Sequence, residues 1–464
     1  MAGCATLGVS EPVNAPIGGM ASEVFAASRQ PLPPGDEMMV NLAFSGGGTR
    51  AAAFAFGVLT ELDQITTESG GRRQSLLDQV DFVSGVSGGA IAAAYFGLKK
   101  RAALADFREK FLLRNAEEGL STSIDPFNLA KALGSSGVND AKTLSRWLDA
   151  NLFKGATFAD LRKEPRPRVW INASDIYNRV PFIFGEAAFT ALCSDLRSYP
   201  IADAVAASAA VPVVFTPMVL QGYPKRCMDQ TPEWLQTARS SPNSPPMLKA
   251  YADAIHSYHT GSTKYVKLLD GGLVDNYGLS GFTIARLSAA APYEPMTPTE
   301  AVNLRRSITI LIDAGQPPSG DWAQQLDGPS GAELIMAAAD TAVQASVRSS
   351  FTAFQGAMAE WQRQLVAWRC GLTAQQRKLY GAPPRWNCRD IKLYVDRIAF
   401  DQLGPERAKL LNKVDTRLHL PADQVDSVIE AGRDALQVSH VFQEFLRDVG
   451  GRVGTASTAY AGAQ

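Results

Sequence analysis

No run of 18 or more apolar residues occurs in this chain, so it offers no candidate for a membrane-spanning helix. It also lacks a charge surplus. Lys and Arg number 45 against 46 Asp and Glu, a formal net charge of -1, and nothing suggests the basic stripe that a nucleic-acid partner needs. Histidine is scarce, four in 464 residues, and none stands at the H-E-x-x-H or finger-like spacing that holds zinc. His256 and His259 read as surface residues of an insertion, and His419 and His440 as structural ones. A Walker A loop, G-x-x-x-x-G-K-[ST], is missing as well. The sequence therefore calls for no metal, no cofactor and no nucleic acid.

What is present is the composition of an ordinary globular protein, 46% hydrophobic and 20% charged, long enough to bury a large core. The first 36 residues are rich in Ala, Gly, Ser and Pro and end in Gln30-Pro31-Leu32-Pro33-Pro34-Gly35, which reads as a flexible tether. Within it, Ala2-Gly3-Cys4 resembles the end of a bacterial lipoprotein signal, whose cysteine becomes the lipidated residue, although no charged and apolar regions precede it here. That reading places the protein in the cell envelope, lipid-anchored at Cys4 and facing the periplasm. The alternative is a chance cysteine in a cytoplasmic protein. The other four cysteines form two pairs near in sequence, which suggests Cys193–Cys227 and Cys370–Cys388 bridges if the compartment is oxidising, and four free thiols if not.

Order begins with the apolar run Met38 to Phe44, a buried strand. A helix-forming segment, Thr49 to Thr67, follows. Strands are expected at Val80–Val83, Val169–Ala173, Tyr265–Leu269 and Ile308–Ile312, alternating with helices. This pattern argues an α/β fold with a mostly parallel central sheet. Between Leu220 and Gly261 lies a Pro- and Ser-dense stretch, read as an insertion and candidate lid. Gly331 to Arg369 and Ala422 to Val449 are expected as helices. In the first of these, Phe351, Phe354, Met358 and Trp361 form an apolar stripe, core unless it lines an acyl tunnel. The divisions are a tether over 1–36, a catalytic domain over 37–320 and a helical extension over 321–464 packed on it.

Three glycine-rich elements each follow an expected strand. Gly85-Val86-Ser87-Gly88-Gly89 fits G-x-S-x-G, the strand–turn–helix that exposes a nucleophilic serine, or else a glycine turn with a capping serine. Ser45-Gly46-Gly47-Gly48-Thr49-Arg50 offers successive amides to an anion, either a phosphate or an oxyanion. Its loose G-x-G-x-x-A spacing through Ala51 permits a dinucleotide loop, which would leave Ser87 unexplained. Asp270-Gly271-Gly272 allows close backbone approach around a carboxylate, or is a plain turn.

In this order the three elements resemble the patatin-like phospholipase family, which carries G-G-G-x-[KR], then G-x-S-x-G, then D-G-[GA]. Ala207-Ser208 through Val211-Pro212, Phe215 and Pro217 is similar to another stretch of that family. The likeness covers roughly Met39 to Asp313, and departs from the family pattern at Ala51, where glycine is usual. It implies a three-layer patatin-like fold with helical C-terminal elaborations, and a lipid acyl hydrolase acting on (phospho)lipid esters at a membrane surface. By the same resemblance Ser87 is the nucleophile and Asp270 its base, the Gly46, Gly47 and Gly48 amides form the oxyanion hole, and Arg50 supports that loop or an anionic head group. Two rivals remain: a Ser-His-Asp hydrolase using His419 or His440, and a non-catalytic envelope lipoprotein that keeps the fold as a binding scaffold.

Overall fold

The computed structural model describes residues 11–18, 37–69, 72–121, 137–226, 232–316, 321–324, 326, 328–329 and 331–453. Its main sheet contains β1 (Met38–Phe44), β4 (Val80–Val86), β5 (Arg168–Asp175), β6 (Val180–Ile183), β7 (Met218–Gln221), β8 (Tyr265–Asp270), β9 (Arg306–Asp313) and β10 (Lys392–Ala399). The order across it is β10-β9-β1-β4-β5-β8-β7, with β6 against β5. From β10 to β5 the strands are parallel. β6, β7 and β8 run antiparallel to their neighbours. A small second sheet joins β2 (Ile65–Ser69), β3 (Arg72–Ser75) and β11 (Arg452–Val453). The helix expected to Thr67 stops at Gln64, because Ile65 turns extended and enters this second sheet.

The central strands are buried, and mostly apolar, because helices cover both faces. In β1 the alternation is direct: Val40, Leu42 and Phe44 enter the larger core, and Ala43 enters the smaller one with Met39 at its edge. On the larger side lie α1 (Gly48–Gln64), α2 (Gly88–Lys99) and α3 (Ile201–Ser208). On the smaller side lie α7 (Ser280–Leu287) and α8 (Gly331–Cys370), whose Phe354, Met358, Trp361 and Leu365 are buried against Leu311. Phe354 of that apolar stripe is core, whereas Met358 and Trp361 also line a cavity.

Three expectations need correction. Residues 11–18, assigned to the tether, lie on the body: Val13 N–H bonds Val219 O at 3.1 Å, and Asn14 is buried with its side chain on Ser194 and Gln221. The insertion is no loose cover. It forms α4 (Glu233–Ser240) and α5 (Pro246–Thr260), and α5 sends Leu248, Tyr251, Ala252, Ile255 and Tyr258 into the core, with Tyr258 Oη bonded to Asp175 at 2.6 Å.

The C-terminal region, expected as a helical extension packed on the catalytic domain, is not helical throughout. It supplies edge strand β10, in register with β9 from Lys392 opposite Arg306 to Ala399 opposite Asp313. Its last helical stretch breaks at Ser439 into α9 (Ala422–Val438) and α10 (His440–Asp448), where Ser439 caps the second by accepting from Phe442 N–H. α9 crosses α1 so closely that a Cβ on Gly57 would lie 2.0 Å from Ile429 O, and one on Gly432 2.3 Å from Phe54 O. Any side chain there would force the two helices apart.

Candidate active site

The register of the sheet brings the site together. Val86, the last residue of β4, faces Asn172 of β5. The next residue of β5, Ala173, faces Asp270 at the end of β8. Because β8 runs antiparallel, its C-terminal end lies beside the end of β4, and Ser87 and Asp270 become neighbours across β5.

Ser87 forms the turn between β4 and α2 with φ 53° and ψ -123°. A non-glycine residue at positive φ costs on the order of 1–3 kcal/mol and persists only where its surroundings impose it. Here they do. A Cβ on Gly88 would lie 1.9 Å from Gly48 O, and one on Gly89 2.5 Å from Ser45 O, so only glycines let α2 begin against the first glycine loop. The Ser87 N–H donates to Ser208 Oγ at 2.9 Å, and the Ser208 hydroxyl donates on to Asn172 O at 2.5 Å. The elbow is therefore tied to α3 and to β5. The positive end of α2 points at the serine.

The same α3 segment holds Asp270. Its N–H donates to Ala210 O at 2.9 Å, and that of Gly271 to Ser208 O at 3.1 Å. The carboxylate accepts the Gly272 N–H at 2.8 Å. Burial pushes its pKa up to about 6, against the downward pull of that N–H and of the neighbouring Ser87 side chain. The group is densely surrounded yet keeps part of its surface accessible. Among the described residues no histidine bonds to Ser87 or Asp270, so nothing completes a Ser-His-Asp triad.

The Gly46–Gly48 loop divides its work. The Gly46 N–H donates to Asn276 O at 3.2 Å, which removes it from the expected set of three oxyanion donors. Its role is steric: a Cβ there would lie 2.4 Å from Asn276 Oδ1 and 3.4 Å from the Ser87 Cβ. Gly47 and Gly48 sit at φ 138° and 60°, and their N–H groups meet no acceptor among the described residues. The N–H of Gly88, the first residue of α2, likewise meets no acceptor among the described residues. Gly88 follows the serine directly and packs on Gly48, which ties the two loops together.

Arg50 is buried to 2% exposure, which excludes contact with a head group. Its guanidinium donates to Val414 O at 2.7 Å, and burial lowers its pKa to about 10 against the opposing fields of Asp313 and Asp415. Thr49 N–H donates to Arg417 O at 2.7 Å, and a Cβ on Gly48 would lie 2.4 Å from that same oxygen. The segment around 414–417 thus clamps the glycine loop from the C-terminal third. Ala51, where glycine would be usual, fits without strain inside the first turn of α1, its N–H on Gly47 O at 3.2 Å.

Sequence reasoning missed Ser208, Asn276, Gly88 and the carbonyls of Val414 and Arg417. Gly88, next to the serine in the elbow motif, and Ser208, inside the stretch that resembles the family, were the ones with a signal. Of the remaining expectations, Cys370 and Cys388 are bonded. Cys4, and Cys227 of the other expected bridge, lie outside the described residues. His256 and His259 sit on α5, and no group of three or more metal-binding side chains occurs among the described residues. No helix among them is long and apolar enough to cross a membrane.

Residues 42–283, just over half the chain, match the patatin-like phospholipase family. The chain belongs to that family. No curated protein matches it. Among solved structures, this patatin-like protein is similar to human GIVD cytosolic phospholipase A2, at 12% identity and a TM-score of 0.40, over 88% of this chain and 63% of that one. It is similar to VipD from Legionella pneumophila at 12% identity and a TM-score of 0.32, over 90% of this chain and 68% of that one. ExoU in complex with SpcU, from the type III secretion system of Pseudomonas aeruginosa, matches at 15% identity and a TM-score of 0.23, over 78% and 75% of the respective chains.

Proposed function

We propose that the protein is a lipid acyl hydrolase that cleaves carboxylic esters of (phospho)lipids through a Ser87–Asp270 dyad and an acyl-enzyme. The observation that carries this reading is the placement of Ser87, at a strained strand–helix turn, beside a carboxylate at the end of β8 whose pKa is raised to about 6. A carboxylate near its ordinary value of about 4 is a poor acceptor for a serine proton; one at 6 is better matched. In the first half-reaction Ser87 Oγ attacks the acyl carbonyl while Asp270 takes its proton. The oxyanion forms against the unpaired amides of Gly47, Gly48 and Gly88. Asp270 then returns the proton to the leaving alcohol. Water, deprotonated by Asp270, releases the acyl group in the second half. No metal or cofactor enters these steps.

The test is labelling with a long-chain fluorophosphonate followed by peptide mapping, alongside turnover of a phospholipid and a neutral ester. Modification of Ser87 alone, lost in Ser87→Ala together with turnover, is the expected outcome. Turnover that persists in Ser87→Ala rejects the reading. For location we propose a lipid anchor at Cys4, and Cys4→Ser in the full-length protein should release it from membranes. An unchanged membrane fraction removes that proposal.

A further inference from the structure

On the face of the sheet covered by α7 and α8, the protein holds a cavity of about 730 Å³, to which none of Gly46–Gly48, Ser87 and Asp270 contributes. Its size lies within the range of cavities that enclose a small-molecule ligand, roughly 300–1,000 Å³. One wall is an aromatic cluster: Phe82 packs edge-on against Trp170 and Phe282, with ring centroids 4.6 and 4.5 Å away. Met358 and Trp361 of α8 line it from the helix side.

The cavity is set apart from the catalytic end. Phe82 precedes Ser87 by five residues along β4 and the turn, a separation of roughly 16 Å at strand rise. Between them on the same face runs a polar layer, in which Asn172 Nδ2 donates to Ser84 Oγ at 2.8 Å and Ser84 donates to Gly278 O at 2.7 Å. An acyl chain seated at Ser87 would have to break that layer to enter.

Charge decides what fits. Of the acidic groups lining the cavity, Glu186 is paired with Arg162, Glu300 caps a helix by accepting from Thr297 N–H, and Glu164 interacts with Lys100. Arg286 spends its guanidinium on Glu294 O and Gln364 and stacks on Trp361. Arg168 and Arg197, both exposed and thus at the mouth, have no acidic partner among the described residues. An apolar interior with two unneutralised guanidiniums at its entrance suits an amphiphile with one chain and one anionic end.

We propose that this cavity is a second lipid site, which binds a long-chain fatty acid with its alkyl chain along Phe82, Trp170 and Phe282 and its carboxylate at Arg168 and Arg197. It is a binding site and stands whether or not Ser87 is a nucleophile. If it serves the hydrolase proposed above, its ligand is the acid which that reaction releases.

Binding is measured with the full-length Ser87→Ala protein, by displacement of dansyl-undecanoic acid with saturated fatty acids of 8 to 16 carbons and with their methyl esters. Affinity should rise about three- to fourfold per added CH2, as burial of a methylene implies, and each acid should bind at least tenfold tighter than its ester. Ala285→Trp, which projects into the cavity, should weaken binding at least tenfold while leaving turnover of a four-carbon ester by the otherwise wild-type enzyme unchanged. The double variant Arg168→Ala/Arg197→Ala alters only exposed side chains and should bring the acid down to the affinity of its ester. The proposal is overturned if acid and ester bind alike, or if neither set of substitutions changes binding. It also falls if wild-type protein whose Ser87 carries a long-chain fluorophosphonate no longer binds the acid, because the catalytic cleft would then be the site.

Discussion

The glycine-rich strand ends of the first 283 residues and the segment around 414–417 hold the same loop, yet only the first is visible as a motif. Gly88 and Gly89 stand where a Cβ would lie 1.9 and 2.5 Å from a carbonyl oxygen, so the residue type itself is dictated. Val414 and Arg417 act through their main-chain oxygens, on Arg50 and Thr49 respectively. A carbonyl oxygen is the same for every residue. The lesson is that a close backbone approach writes glycine into the sequence, whereas a backbone acceptor writes nothing, although the site depends on both.

The largest effect should come from the motif side. Asp270→Asn keeps the shape of the carboxylate and removes the base, so kcat should fall at least about a thousandfold, comparable to the loss of a triad member. The wild-type rate should rise with pH through about 6 as Asp270 ionises. The same group links pH to stability. Its folded pKa lies above the unfolded value near 4, so the stabilisation from its bound proton is complete below about 4 and is lost as pH rises through about 6. At pH 8 the Asn variant should therefore be more stable than wild type, by up to about 3 kcal/mol. A variant that loses activity but also stability at pH 8 would point to a structural role for Asp270.

Next comes the boundary between the two regions. Gly48→Ala puts a Cβ 2.4 Å from Arg417 O at φ 60°, and should cost about a hundredfold in kcat by displacing an oxyanion donor. Retention of full activity would show that the amide of Gly48 is not used. Arg50→Met removes the buried bond to Val414 O, and should lower kcat roughly tenfold and stability by about 1–3 kcal/mol. Denaturant unfolding and steady-state kinetics on the same variant separate the two effects.

The smallest effects test the comparison most sharply. Replacing His256, His259, His419 or His440 singly by Gln should leave kcat within about tenfold, roughly 1.4 kcal/mol of barrier; a thousandfold drop in one of them would restore the triad. Arg417→Ala retains the carbonyl that clamps Thr49 and removes only an exposed side chain paired with Glu117, so activity and stability should change by less than about threefold and 1 kcal/mol. A large loss would mean that the side chain, and not the backbone, is the clamp.

By itself the sequence determined the α/β class, the mostly parallel sheet and the order of the three glycine-rich elements. Each of these is written in residue type: apolar runs covered on both faces, and glycines where nothing larger fits. The C-terminal third carried no such mark. Strand β10, Lys392–Ala399, was passed over as part of a helical extension because its half-polar pattern is that of an edge strand, with Lys392 and Asp396 among its apolar residues. Ser439, which divides the last helix, was absorbed into one long helical pattern for want of a glycine or proline. Only the tertiary structure decided that Gly46 gives its N–H to Asn276 while Gly47 and Gly48 keep theirs, because that depends on where a carbonyl 230 residues away is placed. It alone decided that Arg50 faces inward, that residues 11–18 dock on the body, and that an aromatic cavity opens on the far side of the polar layer from Ser87. These are products of long-range packing, in which distant segments meet through atoms common to every residue, and no local pattern records them.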